Sequence, residues 1–72
     1  MRTASDVLTN PKPGDVVDIM PGWRRWVRQA FDRGVIFDAV NEDGDFEDCC
    51  VTLDRWQTAC RTPTCEVVNV AE

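Results

Sequence analysis

Residues 21–34 read Pro21-Gly22-Trp23-Arg24-Arg25-Trp26-Val27-Arg28-Gln29-Ala30-Phe31-Asp32-Arg33-Gly34, and whether this stretch coils or extends decides the fold. Trp23, Trp26, Val27, Ala30 and Phe31 fall at i, i+3, i+4, i+7 and i+8, an apolar stripe along one helix face. Pro21 suits a first helical position and Gly34 the cap beyond the end. The spacing predicts a helix near residues 22–33, with the arginines on its solvent side. The rival reading is a long loop entering a strand, in which Val27, Gln29 and Phe31 alternate.

The flanking segments read as strands. Asp15-Val16-Val17-Asp18-Ile19-Met20 is short and β-branched, with Pro-Gly on both sides, and ends at Pro21, which cannot donate to a ladder. Val35–Val40 is a second strand. Asn41-Glu42-Asp43-Gly44-Asp45 is a turn in which Gly44 supplies the positive-φ position, and Phe46–Asp54 is the returning strand. A three-residue loop pairs Val35 with Leu53, Phe37 with Val51 and Ala39 with Cys49. All six then share one apolar face, so a bulged loop is expected over a plain two-residue turn. Arg55–Thr64 reads as a polar connection and Cys65–Val70 as the last strand. Residues 1–14 read as a polar leader ending in Pro13-Gly14, with a short helical turn at Ser5–Thr9 capped by Ser5 or Asp6. The expected fold is a small mainly-β (α+β) domain over residues 15–70. It is an antiparallel sheet of four or five strands, or a partly open barrel, with one short helix near residues 22–33.

A chain of 72 residues makes one domain at most. It buries about 60% of its unfolded surface, for a stability of roughly 4–11 kcal/mol. Hydrophobic residues at 43% and charged residues at 29% are ordinary for a globular chain. No apolar run approaches the ~20 residues of a membrane span, and Met1–Asp6 lacks the apolar core of a signal peptide, so the expected compartment is the cytoplasm. The net charge of −5 opposes nucleic acid. The charge is uneven, however. Arg24, Arg25, Arg28 and Arg33 face a single acid, Asp32, whereas Asp38, Glu42, Asp43, Asp45, Glu47 and Asp48 follow with no base among them.

There is no His and no Tyr, the sole Ser is Ser5 and the sole Lys is Lys12. A Ser–His or Cys–His nucleophile pair cannot be built from this set, nor can a His-ligated metal site. An enzyme would have to rest on paired carboxylates such as Asp43 and Asp45, with nothing to shield them from water. No catalytic residue and no cofactor is therefore expected.

Pro13-Gly14-Asp15-Val16-Val17, Arg33-Gly34-Val35-Ile36, Asp43-Gly44-Asp45-Phe46 and Glu66-Val67-Val68, in that order, resemble a KOW/Tudor-type small β-barrel over about residues 13–70. The resemblance implies binding of nucleic acid, modified peptides or other proteins, and no catalysis. The chain is also similar to small acidic accessory proteins of phages and mobile elements.

Cys49, Cys50, Cys60 and Cys65 admit three readings. A four-thiolate zinc site needs paired ligands two to four residues apart, whereas Cys49 and Cys50 are adjacent and point to opposite faces of a strand. A disulfide between Cys50 and Cys65 is a second reading, which a reducing compartment opposes. The expectation is four reduced thiols, with Cys49 packed as a small core hydrophobe, and no metal. The acidic turn fails the EF-hand pattern, since Ala39 and Cys50 stand where the first and last ligands belong. Trp23-Arg24-Arg25-Trp26-Val27-Arg28 combines the residues that stack on bases with those that dominate protein contacts. The expected function is a non-enzymatic protein-interaction module, a small modulator or inhibitor of its partner, using Trp23, Arg24, Arg25, Arg28 and Arg33 together with Glu42, Asp43 and Asp45. A barrel that binds nucleic acid through Trp23, Arg24, Arg25 and Arg28 is the alternative.

Overall fold

Gly22 sits at φ 85°, in the left-handed region, directly after Pro21, an order that makes a tight turn between strands. The turn folds β1 (Val16–Met20) onto β2 (Trp23–Ala30), so the helix expected near residues 22–33 is instead a strand. The computed structural model that shows this describes residues 1–41 and 43–72. Two constraints outweigh the helical spacing. β2 is central, with ladders to β1 on one side and to β3 (Gly34–Val40) on the other, so pairing occupies both of its edges. A register shift between Val27 and Gln29 also leaves Arg28 as a bulge. Val27 then sits opposite Phe37 and Ala30 opposite Val35, both on the core side. A bulged strand thereby reproduces the i, i+3 spacing of a helix.

β4 (Phe46–Thr52) and β5 (Glu66–Asn69) complete a five-stranded antiparallel sheet in the order β4-β3-β2-β1-β5. The sheet is not closed into a barrel: β4 and β5 are its two edges. α1 (Ala4–Thr9) and α2 (Leu53–Cys60) are short, and no helix among the described residues is long and apolar enough to cross a membrane.

The β3–β4 hairpin keeps the expected parity but not the expected register. Val35 pairs with Val51, Phe37 with Cys49 and Ala39 with Glu47, two residues short of the expected partners. The connection between Val40 and Phe46 is five residues long rather than three. Asn41 Oδ1 accepts from the Asp43 and Asp45 amides at 2.9 and 3.1 Å, and Gly44 turns at φ 82°. Leu53, assigned from sequence to β4, begins α2 instead. Thr52 caps that helix, its hydroxyl accepting from the Arg55 amide at 3.2 Å. The segment read as a polar connection thus holds Trp56, whose spacing from Leu53 and Cys60 directs one helix face onto the sheet.

Residues 1–14, read as a polar leader, pack against the sheet. Thr3 N–H donates to Asp6 Oδ2 at 2.7 Å at the start of α1, and Val7 is fully buried. Val7, Val17, Val27, Val35, Phe37, Trp56 and Cys60 form the core. The Phe37 and Trp56 rings meet tilted at 57°, centroids 5.5 Å apart, and Trp56 Nε1 donates to the Val7 carbonyl at 3.1 Å. Asp15, also fully buried, accepts from Arg2 at 2.6 and 2.7 Å, from the Lys12 amide at 2.8 Å and from the Ala71 amide at 2.7 Å.

Trp56→Ala removes a fully buried indole and is expected to cost about 3–5 kcal/mol, a large share of the whole. Trp56→Phe keeps a ring but leaves the Val7 carbonyl without its donor, at about 1–2 kcal/mol. Urea midpoints read both; equal losses would mean that the hydrogen bond, not packing, sets the contribution. Burial alone would raise the Asp15 pKa, but the bonds from Arg2, Ala71 and Lys12 together hold it below the usual carboxylate range. The stability it contributes is therefore fully present above the unfolded value of about 3.9 and is lost as pH falls through the lower folded value. Thermal melts between neutral pH and about pH 2 should show that loss in the wild type. Asp15→Asn should melt lower at neutral pH and vary less with acid.

Candidate interaction groove

Alternation along β2 separates its cations. Arg24 and Arg28 stand on the outer face, whereas Arg25 stands on the inner face, in a cross-strand row that runs Val67, Val17, Arg25, Ala39, Glu47. On the outer face Arg24 grips Asp18, with Nε to Oδ1 at 2.8 Å and Nη2 to Oδ2 at 3.2 Å. Arg28 Nη1 lies 3.5 Å from both Asp38 and Asp48. Basic and acidic residues that are separated along the chain are therefore intermingled in space. β2 lies between strands that carry acids, so the uneven charge along the chain does not become separate patches on this face. Trp26 also lies on this face, stacked on Phe46 with centroids 6.3 Å apart, and the Arg24 guanidinium is 5.8 Å from the Trp26 ring.

The inner face is covered at one end only. Trp56, Cys60 and Val7 close it over Val17, Val27, Val35 and Phe37. The other end holds a cavity of about 340 Å³ lined chiefly by Ile19, Met20, Trp23, Arg25, Ala39 and Glu47, with no helix residue on its wall. Trp23 and Met20 on the rim are 46% and 44% exposed. The Arg25 guanidinium lies 4.6 Å from the Phe37 ring centroid, a cation–π contact. Unlike its neighbours on β2, Arg25 forms no ion pair among the described residues. A second depression bounded by Trp23, Asp45, Phe46 and Glu47 adjoins the groove, so the acidic turn meets it.

Of the residues singled out from sequence, Trp23, Arg25 and Asp45 come together here, with Arg24 at the edge. Arg28 is held in the outer ion cluster. Arg33 lies beside Thr52 and Asp54 near the start of α2, and its carbonyl accepts from the Leu53 amide at 2.8 Å. Asp43 is exposed at the β3–β4 turn, and Glu42 lies outside the described residues. Sequence reasoning missed Ile19, Met20, Ala39 and Glu47. Only the strand register places them beside Trp23 and Arg25; their one local signal is the exposed Met20 just before the Pro-Gly turn.

The four cysteines are free. Cys50 pairs with Ile36 on the outer face of the β4 edge, while Cys65 precedes β5 at the opposite edge, so the bond considered between them is not made. Among the described residues no three His, Cys, Asp or Glu side chains converge as metal ligands. Cys49 is half-buried against the core, and Cys60 is the buried thiol. Burial pushes the Cys60 thiol up to about 12, with the adjacent Cys65 adding to the rise. Burial also raises Cys49 and Cys65.

No family model, curated protein or solved structure matches this chain.

A thiol with a pKa near 12 is almost wholly protonated at pH 8, and the thiolate is the nucleophile. Iodoacetamide at pH 8 should therefore modify exposed Cys50 at least about a hundredfold faster than Cys60, read by peptide mass spectrometry over time. Equal rates would show that α2 opens faster than the reagent reacts.

Proposed function

We propose that this chain is a non-enzymatic protein-interaction module, a small modulator of the protein it docks on, and that the open end of its inner face is the contact surface. The observation that carries this reading is the groove itself: an apolar trough with a half-exposed Trp and an Arg that forms no ion pair among the described residues. Trp and Arg are the side chains that most often anchor protein contacts. Two of the three cations that a nucleic-acid surface on β2 would use are already held by Asp18, Asp38 and Asp48, and the chain carries −5 overall. That pairing favours a protein partner over a phosphate backbone. The absence of His and the raised pKa of three of the four thiols leave no evident nucleophile–base pair.

A displayed random-peptide library selected on the immobilised chain tests this reading. The expected result is a recurring peptide motif that is lost with Trp23→Ala and kept with Arg28→Glu. Failure to enrich any motif would overturn the reading. So would retention of single- or double-stranded nucleic acid at ~50 mM salt that weakens steeply as salt rises.

A further inference from the structure

We infer that the groove takes an extended segment of a partner protein bearing a single carboxylate side chain between aliphatic residues, with that carboxylate on Arg25. The inference rests on the interaction-module reading and names the chemistry of its ligand.

Arg25 is unlike the other cations of β2. Its guanidinium stands over the Phe37 ring, on the inner face, with no ion pair among the described residues. A planar guanidinium held over a ring presents its N–H fork in a preset plane, and a carboxylate is the group that matches that fork in a bidentate pair. The apolar lining on either side, Ile19, Met20, Trp23 and Ala39, suits aliphatic neighbours of that carboxylate.

Glu47 sets the limit of one carboxylate. It stands in the same cross-strand row as Arg25 with Ala39 between them, so its backbone is roughly 9–10 Å away. A run of acidic residues reaching across the groove would meet Glu47, and Asp45 just beyond it. The small Ala39 side chain forms the floor between the two charges.

The strand order favours a side chain over a chain terminus. β1, β2 and β3 are internal strands, paired on both edges. Their amides are engaged in ladders, so the floor lacks the cluster of free N–H groups that captures terminal carboxylates. Among the described residues that line the groove, Arg25 is the one charged donor it offers an anion, apart from Arg24 at its edge, which is already held by Asp18.

The test uses fluorescein-labelled heptapeptides blocked at both ends and identical except at the centre: Leu-Glu-Leu, Leu-Gln-Leu, Leu-Lys-Leu and Glu-Glu-Glu. A fifth peptide has no acidic side chain and a free C-terminal Leu. Anisotropy gives the affinities, and the NMR signal of the Trp23 indole N–H reports the place of binding. The Leu-Glu-Leu peptide should bind at least about tenfold tighter than its Gln counterpart, the worth of a charge-assisted hydrogen bond, and tighter than the triple-Glu peptide. Arg25→Met, which keeps the apolar stem, should erase the preference for Glu, and Arg25→Glu should shift it to Lys. Equal binding of the Glu and Gln peptides, with the Trp23 signal moving in both, would overturn the carboxylate assignment and leave the interaction-module reading standing. Tighter binding of the free-terminus peptide would overturn the side-chain assignment. If no peptide moves the Trp23 signal at millimolar concentration, both readings fall.

Discussion

The fold depends on a carboxylate shut away from bulk solvent. Asp15 is fully buried, and its two oxygens accept from the Arg2 guanidinium, the Lys12 amide and the Ala71 amide. An isolated charge in that position would be prohibitive; one met by several donors, one of them cationic, is held. The same Arg2 also donates to the Ala71 and Asn10 carbonyls, so one ion pair ties the segment before β1 to the segment after β5. Those tethers place α1 where Val7 can cap Trp56, and Trp56 in turn can fill the inner face. One end of the inner face is therefore closed by helices anchored to a fixed point. The other end has no such tether and stays open.

Antiparallel pairing treats the sequence charges in the same selective way. It brings Asp18 across from Arg24 and sets Asp38 and Asp48 beside Arg28, turning two segments of opposite sign into an outer-face lattice of exposed pairs. Such pairs contribute little to stability each, but they occupy the side chains that would otherwise meet a ligand. Arg25 escapes because strand alternation puts it on the opposite face from its two neighbours. Which β2 cation is left without an ion pair among the described residues is thus set by parity, a property that no count of charges along the chain reveals.

What was legible in the sequence followed from short-range rules. β1, β3 and β5 are β-branched runs bounded by Pro, Gly or turn residues, and each falls within a residue or so of its expected span. The apolar face of the β3–β4 hairpin was legible because any odd loop length preserves parity. Its register was not, because Asn41 uses its side chain to organise a five-residue turn where three residues would also have preserved the pattern. β2 was misread because the bulge at Arg28 gives Val27 and Ala30 helical spacing on one face, while Trp23 and Trp26, which completed the apparent stripe, stand on opposite faces. α2 was missed for the complementary reason: it has only two turns, and its buried face shows just Leu53, Trp56 and Cys60 among polar residues. Of the groove, sequence reasoning reached Trp23, Arg25 and Asp45. Its floor and far wall, Ala39 and Glu47, are set by pairing between strands and carry no local signature.

Phe37 joins the two halves of the inner face. One contact of its ring is with Trp56 in the core, and another is with the Arg25 guanidinium at the edge of the groove. At 1% exposure the ring is core by any measure, yet it is also the platform under the cation. An Arg on the inner face of so small a sheet costs desolvation, and the aromatic face offsets part of that cost while leaving the N–H fork unspent. Packing of Trp56 against Phe37 therefore fixes the plane on which Arg25 rests, and that packing depends on α1 being held through Arg2 and Asp15. The closed end of the sheet is what gives the open end a defined shape: the groove is preorganised by a core that it shares at Phe37.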